Sequence, residues 1–224
     1  MSLIFDIETM EWFKDDEHKK DILESRQDKR LKEPDKIAEN HKKILNECAL
    51  YPMSGQITLV GFRDTETNET RIITNGYADP LDKEVVFCAD EAGLVKTAWD
   101  LIAGAIDEGK RLVGFRSKDF DMPYLFTRAL YHKLTPVVPY ISLIHPYTHD
   151  LHLDLKTLFD KGSLRDITKF LDISTENDTD GSELPELWRS DPGKVIEKCK
   201  SDLIRTQNLY ERVKSWMPQR LQMS

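Results

Sequence analysis

The chain has 224 residues and a formal net charge of −8, so it is long enough to bury a real core and too acidic for broad electrostatic binding of nucleic acid. No apolar run is long enough to span a bilayer and no basic-then-apolar leader opens the sequence, which points to a cytoplasmic protein with no membrane partner. Cys48, Cys88 and Cys199 are odd in number and widely spaced, as fits a reducing compartment and no disulfide framework.

The first element, "LIFDIETM" (3–10), reads as a buried strand from Leu3, Ile4, Phe5 and Ile7, yet it carries Asp6 and Glu8. Strand side chains alternate, so both acids point to one face. Either this is a surface edge strand with solvated acids, or the pair holds a cation, because a buried ionised carboxylate is costly unless paired or metal-bound. Residues 11–52 are charged and mixed in sign, with sparse apolar points, and read as one or two exposed helices inserted after the strand. "GQITLVGF" (55–62) and "ETRIITNG" (69–76) look like a hairpin, and "KEVVFCAD" (83–90) is a further candidate strand. Asp90 can cap a helix through residue 107, with Leu94, Ala98, Leu101, Ile102 and Ala105 at helical spacing.

"KRLVGFR" (110–116) returns to strand, and a helix follows from Met122 with Pro123 tolerated in its first turn. Asp121, just before that helix, reads on its own as an N-cap. Residues 138–159 resist assignment between loop, strand and helix; His145, His149 and His152 there invite zinc, but nothing supplies a clear fourth ligand, and a polar loop with packed imidazoles is the plainer reading. "SLRDITKFLDI" predicts a helix capped by Ser163, with Asp166 three residues on. A polar loop over 174–186 leads to a last helix from about Asp191 to Trp216. Asp202 falls on that helix's inward stripe with Val195, Cys199, Leu203, Thr206 and Val213, where an acid needs a partner or a route to solvent.

Taken in order, Asp-x-Glu on the first strand, "FDMPYL", and "CKSD" on a late helix resemble the DEDD superfamily of 3′–5′ exonucleases, which has the ribonuclease H-like fold. The similarity is closer to predicted exonucleases related to the proofreading domain of family B DNA polymerases. It extends through "YPMSGQITLVGF", "LVGFRSKDFDMPYL", "HLDL", "SLRDITKFLDI", "DGSELPELW" and "CKSDLIRTQNLY", leaving out 11–45. The resemblance implies an α/β fold: a ribonuclease H-like mixed β-sheet flanked by α-helices, one domain over 1–224 with a charged helical insertion at 11–50. It implies four metal-binding and catalytic acids, Asp6, Glu8, Asp121 and Asp202, with Asp119 the rival to Asp121. It also implies two Mg²⁺ or Mn²⁺ ions, substrate contacts from Thr9, Phe115 and Arg116, and single-stranded DNA or RNA 3′ ends as partners. Carboxylate oxygens suit these hard ions, and two ions can activate water and stabilise the leaving oxygen at phosphorus.

Two positions depart from the pattern. One branch of the superfamily places Tyr four residues before the last Asp and another places His five before it; here these are Lys198 and Glu197. Lys198 lies one helical turn from Asp202 on the same face and joins the catalytic candidates. "GFR" stands where relatives often carry His-Asn or Phe-Asn, so Arg116 replaces a polar contact. These departures keep a second expectation open, a catalytically weak or inactive nuclease-fold protein that binds nucleic acid or a protein partner. Phe115, Tyr124 and Trp188 are candidates for stacking a terminal base, or else core residues.

Overall fold

The computed structural model describes residues 1–78, 81–135, 138, 140–145, 149–173 and 184–217. Among these, β1 (Ser2–Glu11), β2 (Gly55–Asp64), β3 (Thr70–Thr74), β4 (Val85–Phe87), β5 (Arg111–Gly114) and β6 (His152–Asp154) form one sheet in the order β4-β3-β2-β1-β5-β6. β2 runs antiparallel to β1 and β3, and the remaining neighbours are parallel. The helices are α1 (Asp16–Arg26), α2 (Pro34–Cys48), α3 (Glu91–Asp107), α4 (Asp121–Tyr131), α5 (Tyr140–Ile144), α6 (Leu164–Phe170), α7 (Leu184–Ser190) and α8 (Pro192–Lys214). The architecture is therefore α/β with a mixed sheet covered by helices, as the sequence led us to expect. No helix among the described residues is long and apolar enough to cross a membrane.

The sheet's alternation sorts the core into two layers. Ile4, Leu59, Ile72, Val113 and Leu153 pack with Val195, Cys199, Leu203, Leu209 and Tyr210 of α8. Phe5, Ile7, Ile57, Val60, Phe62 and Leu112 pack on the opposite face with Leu94, Ala98, Trp99 and Ile102 of α3 and Met122 and Leu125 of α4. Burial on both faces explains why the central strands read as nearly continuous apolar runs. The insertion holds two helices; α1 buries none of its residues and α2 buries Ile44 and Cys48.

Local signals account for most boundaries. Asp90 accepts from the Gly93 amide at 2.8 Å and Ser163 forms a reciprocal capping box with Asp166, as their spacing predicts. The strand expected over 83–90 is shorter in the structure, β4 spanning Val85–Phe87, with Asp90 serving as the cap of α3. The stretch that resisted assignment contains α5, β6 and a 3₁₀ turn at Leu155–Leu158, which begins where the Asp154 carboxylate accepts from the Lys156 amide. The loop expected over 174–186 falls mostly on 174–183, outside the described residues; from Leu184 the chain is helical, with Leu184 and Trp188 buried one turn apart in α7.

His152 shows why the histidine-rich segment reads as packing. It is fully buried; Nδ1 donates to the Leu143 carbonyl at 2.8 Å, so Nε2 accepts from the Ser117 hydroxyl at 2.8 Å. Both ring nitrogens are used. Burial, with Lys118 and His149 nearby, pushes its pKa down to about 3. The neutral folded form then contributes stability above an unfolded value near 6.5 that is lost as pH falls towards 3. Between pH 6.5 and 4.5, denaturant titration should show the parent losing about 2–3 kcal/mol more than His152→Gln.

Candidate metal centre

The centre is built on β1. Asp6 and Glu8 continue the face that carries Ile4, the face on which α8 packs. Asp202 comes from α8, and one carboxylate oxygen each from Asp6, Glu8 and Asp202 lie within 4.8 Å of one another. Glu8 is buried, while Asp6 and Asp202 are partly open, so the group lines a crevice. This resolves the alternative of a solvated edge strand: β1 is flanked by β2 and β5.

A glycine lets the helix come this close. Gly61 pairs with Asp6 across β1 and β2, and a Cβ there would meet Cys199 Sγ at 2.5 Å and Leu203 Cδ1 at 2.8 Å. A glycine in an otherwise bulky strand marks such an approach. Gly61→Ala should cost about 1–3 kcal/mol by overpacking and should weaken divalent-ion binding by moving Asp202 off Asp6, both readable from thermal melts with and without Mn²⁺.

Asp121 arrives from the other layer. β1 pairs with β5 only through Ser2–Ile4, so beyond Ile4 the β1 backbone is open on that side. Asp121 Oδ1 accepts from the Ile7 amide at 3.1 Å, which fixes the carboxylate between Asp6 and Glu8 along β1. The residue is the first of α4 and Phe120 holds the cap position, so the N-cap reading gives way to this long-range bond. Asp119 is exposed, whereas Asp121 is buried. The turn before α4 is organised by Asp154, whose carboxylate accepts from the amides of Arg116 at 2.8 Å and Lys118 at 3.0 Å.

Lys198 closes the arrangement. Its Nζ donates to Glu8 Oε1 and Asp202 Oδ2, 2.8 Å each, and Arg205 donates to Asp202 Oδ1 at 3.0 Å. Burial tends to lower the Lys198 pKa, but Glu8, Asp202 and Asp6 beside it outweigh this and hold it above its ordinary value. The acids feel the converse. Burial first, then repulsion from Glu8, Asp121 and Asp202, holds Asp6 well above the usual carboxylate range. Burial also raises Glu8 against the pull of Lys198. It takes Asp121 to about 8, despite the opposing Ile7 hydrogen bond. Such a cluster is relieved by a cation, and oxygen-only donors fit Mg²⁺ or Mn²⁺. Among the described residues the Asp6 carboxylate accepts no hydrogen bond, which leaves its oxygens open to an ion.

The remaining candidates lie around this centre with different commitments. The Thr9 hydroxyl donates to the Ala49 carbonyl at 2.7 Å and ties β1 to the end of α2. Phe115 lies two residues beyond Val113, as Asp6 lies two beyond its partner Ile4, so both sit at the same end of the sheet. Phe115 is half-buried against the α8-side core. Arg116 is exposed, with a left-handed backbone at φ 61°. Tyr124 and Trp188 are core residues, Tyr124 donating to the Ala49 carbonyl at 3.1 Å. Sequence reasoning passed over Arg205, Gly61 and Asp154 as parts of the site. Arg205 was findable three residues after Asp202 on one helix, and Gly61 from its place in an apolar strand; only the fold shows what Asp154 holds.

Comparison with known proteins agrees with this fold. Over 149 residues the chain is 32% identical to "Uncharacterized protein MJ0365" of Methanocaldococcus jannaschii, covering 58% of this chain and 78% of that protein. A family B DNA polymerase from the hyperthermophilic archaeon Pyrobaculum calidifontis shares the fold with a TM-score of 0.59 at 15% identity. That likeness covers 95% of this chain but 24% of the polymerase chain. The RNase_H superfamily model matches residues 47–213, most of the chain, with β2 through Asp202 inside it. The chain therefore belongs to the RNase_H superfamily.

Proposed function

We propose that the protein is a metal-dependent 3′–5′ exonuclease that hydrolyses phosphodiester bonds at single-stranded nucleic-acid ends. The observation that carries this reading is the meeting of Asp6, Glu8 and Asp202 within 4.8 Å, with Asp121 hydrogen-bonded to β1 beside them. Asp6, Glu8, Asp121 and Asp202 would hold Mg²⁺ or Mn²⁺, which supplies Lewis acidity to the phosphodiester and a water nucleophile at neutral pH. The chain's own residues do the rest. β1 and α8 present the acids at fixed spacing, Arg116 offers an exposed cation for the strand's phosphates, and Phe115 offers a half-buried ring at the same end of the sheet. Lys198 stands between Glu8 and Asp202, two of the acids that would hold the metal.

Incubation of 5′-labelled single-stranded DNA and RNA with the protein in Mn²⁺ should give ladders shortened from the 3′ end and free mononucleotides, abolished by EDTA. Strands left intact with either metal would overturn the proposal, and cleavage of closed circles would point to an endonuclease instead. One observation favours the second reading, a nuclease fold that binds without cutting: Lys198 already neutralises two of the acids. Cleavage present in the parent and lost in Asp6→Ala would reject it.

A further inference from the structure

We infer that Lys198 takes the place of the second of two cations, so that the centre binds a single divalent ion beside Asp6, with the lysine ammonium as a fixed counter-charge between Glu8 and Asp202. This rests on the nuclease reading above and specifies its metal content.

Position is the first ground. Glu8 and Asp202 lie on different elements, and the Lys198 nitrogen stands 2.8 Å from an oxygen of each. That is a bridging location between these two carboxylates, held by the ammonium. Mg²⁺ demands oxygen ligands at about 2.0–2.1 Å in near-octahedral array, and it cannot share that space with an ammonium group. The second ground is immobility. The Lys198 side chain is 11% exposed, one turn before Asp202 on α8, and swinging it out would leave two acids facing each other.

The third ground is the state of the donors. Both oxygens of Asp202 are already engaged by cationic groups, Oδ2 by Lys198 and Oδ1 by Arg205. The carboxylate of Asp6, by contrast, accepts no hydrogen bond among the described residues. The ammonium also has a use that fits the reaction. Nζ carries three N–H donors, of which Glu8 and Asp202 take two, leaving the third for an oxygen of the substrate phosphate. Lys198 would then bring charge to the phosphate without bringing a second metal-bound water.

The test is the stoichiometry of Mn²⁺ binding, read without substrate by the electron paramagnetic resonance signal of free Mn²⁺ during titration at fixed pH. The parent should bind one ion per chain, Lys198→Met two, and the charge-keeping Lys198→Arg one. Two ions in the parent would overturn the inference and leave the nuclease reading standing; so would one ion in a folded Lys198→Met. If Lys198→Met fails to fold, the parent and Lys198→Arg counts still decide, since two ions in either contradicts the proposal. No ion in any of the three would remove the inference and the nuclease reading together.

Discussion

Asp6→Asn should abolish nucleic-acid cleavage by at least about 10³-fold while leaving the metal-free protein at least as stable as the parent. The rate loss corresponds to roughly 4 kcal/mol of transition-state stabilisation, the scale expected when a charge that anchors the ion is removed. The stability gain, about 1 kcal/mol, follows from where Asp6 sits: burial and its acidic neighbours oppose its ionised form, and an amide escapes that repulsion. Saturating Mn²⁺ separates the two proteins further. At 100 times the dissociation constant an ion bound only by the folded state adds about 2.7 kcal/mol, and the variant should lose most of this. Paired melts and cleavage assays check both halves; lost activity with an unchanged metal-induced shift would put the ion elsewhere.

The largest effect on stability is expected away from the centre. Glu91 opens α3 and is buried; its Oε1 accepts from the Ile57 amide of β2 and from Arg128 Nε, both at 2.8 Å. Its Oε2 meets Arg128 Nη2 and lies 2.8 Å from His132 Nε2. Arg128, 1% exposed, also donates to the Pro52 carbonyl at 3.0 Å and lies over the rings of Trp12 and Tyr131. Arg128→Met removes one partner of a buried pair and leaves the other charge stranded, which costs about 3–5 kcal/mol. For a chain of this size that is a fall of roughly 10 °C in melting temperature. α4 carries Arg128 towards one end and Asp121 at the other, so metal affinity should fall as well. A melting temperature within about 2 °C of the parent would show that this pair holds less than its burial implies.

Much of this molecule was legible because local signals and global fold agree. The alternation of "LIFDIETM" put Asp6 and Glu8 on one face, and they share the face that meets α8. The stripe on the last helix put Asp202 inward, and it arrives opposite them. Caps at Asp90 and Ser163 were readable because a side chain bonding three residues on is a local event. Asp121 was ambiguous for the converse reason. An acid before a helix is ordinary capping chemistry, and only the divergence of β1 from β5, which bares the Ile7 amide, decides its partner. The same holds for Asp154, whose bonds to Arg116 and Lys118 span more than 30 residues. Lys198 was visible as an oddity one turn from Asp202, but its bond to Glu8 spans 190 residues and depends on how closely Gly61 lets α8 approach. Hydrophobic periodicity encodes faces and lengths; it does not encode which polar partner a face will find.

The central claim is that acids distant in sequence converge to hold a divalent cation. Its most direct measurement is the anomalous scattering of crystals soaked in Mn²⁺, recorded at the manganese edge. The account expects a peak within coordination distance of Asp6 and at least one of Glu8, Asp121 and Asp202. No peak at saturating Mn²⁺, or a peak bound by other residues alone, would contradict it.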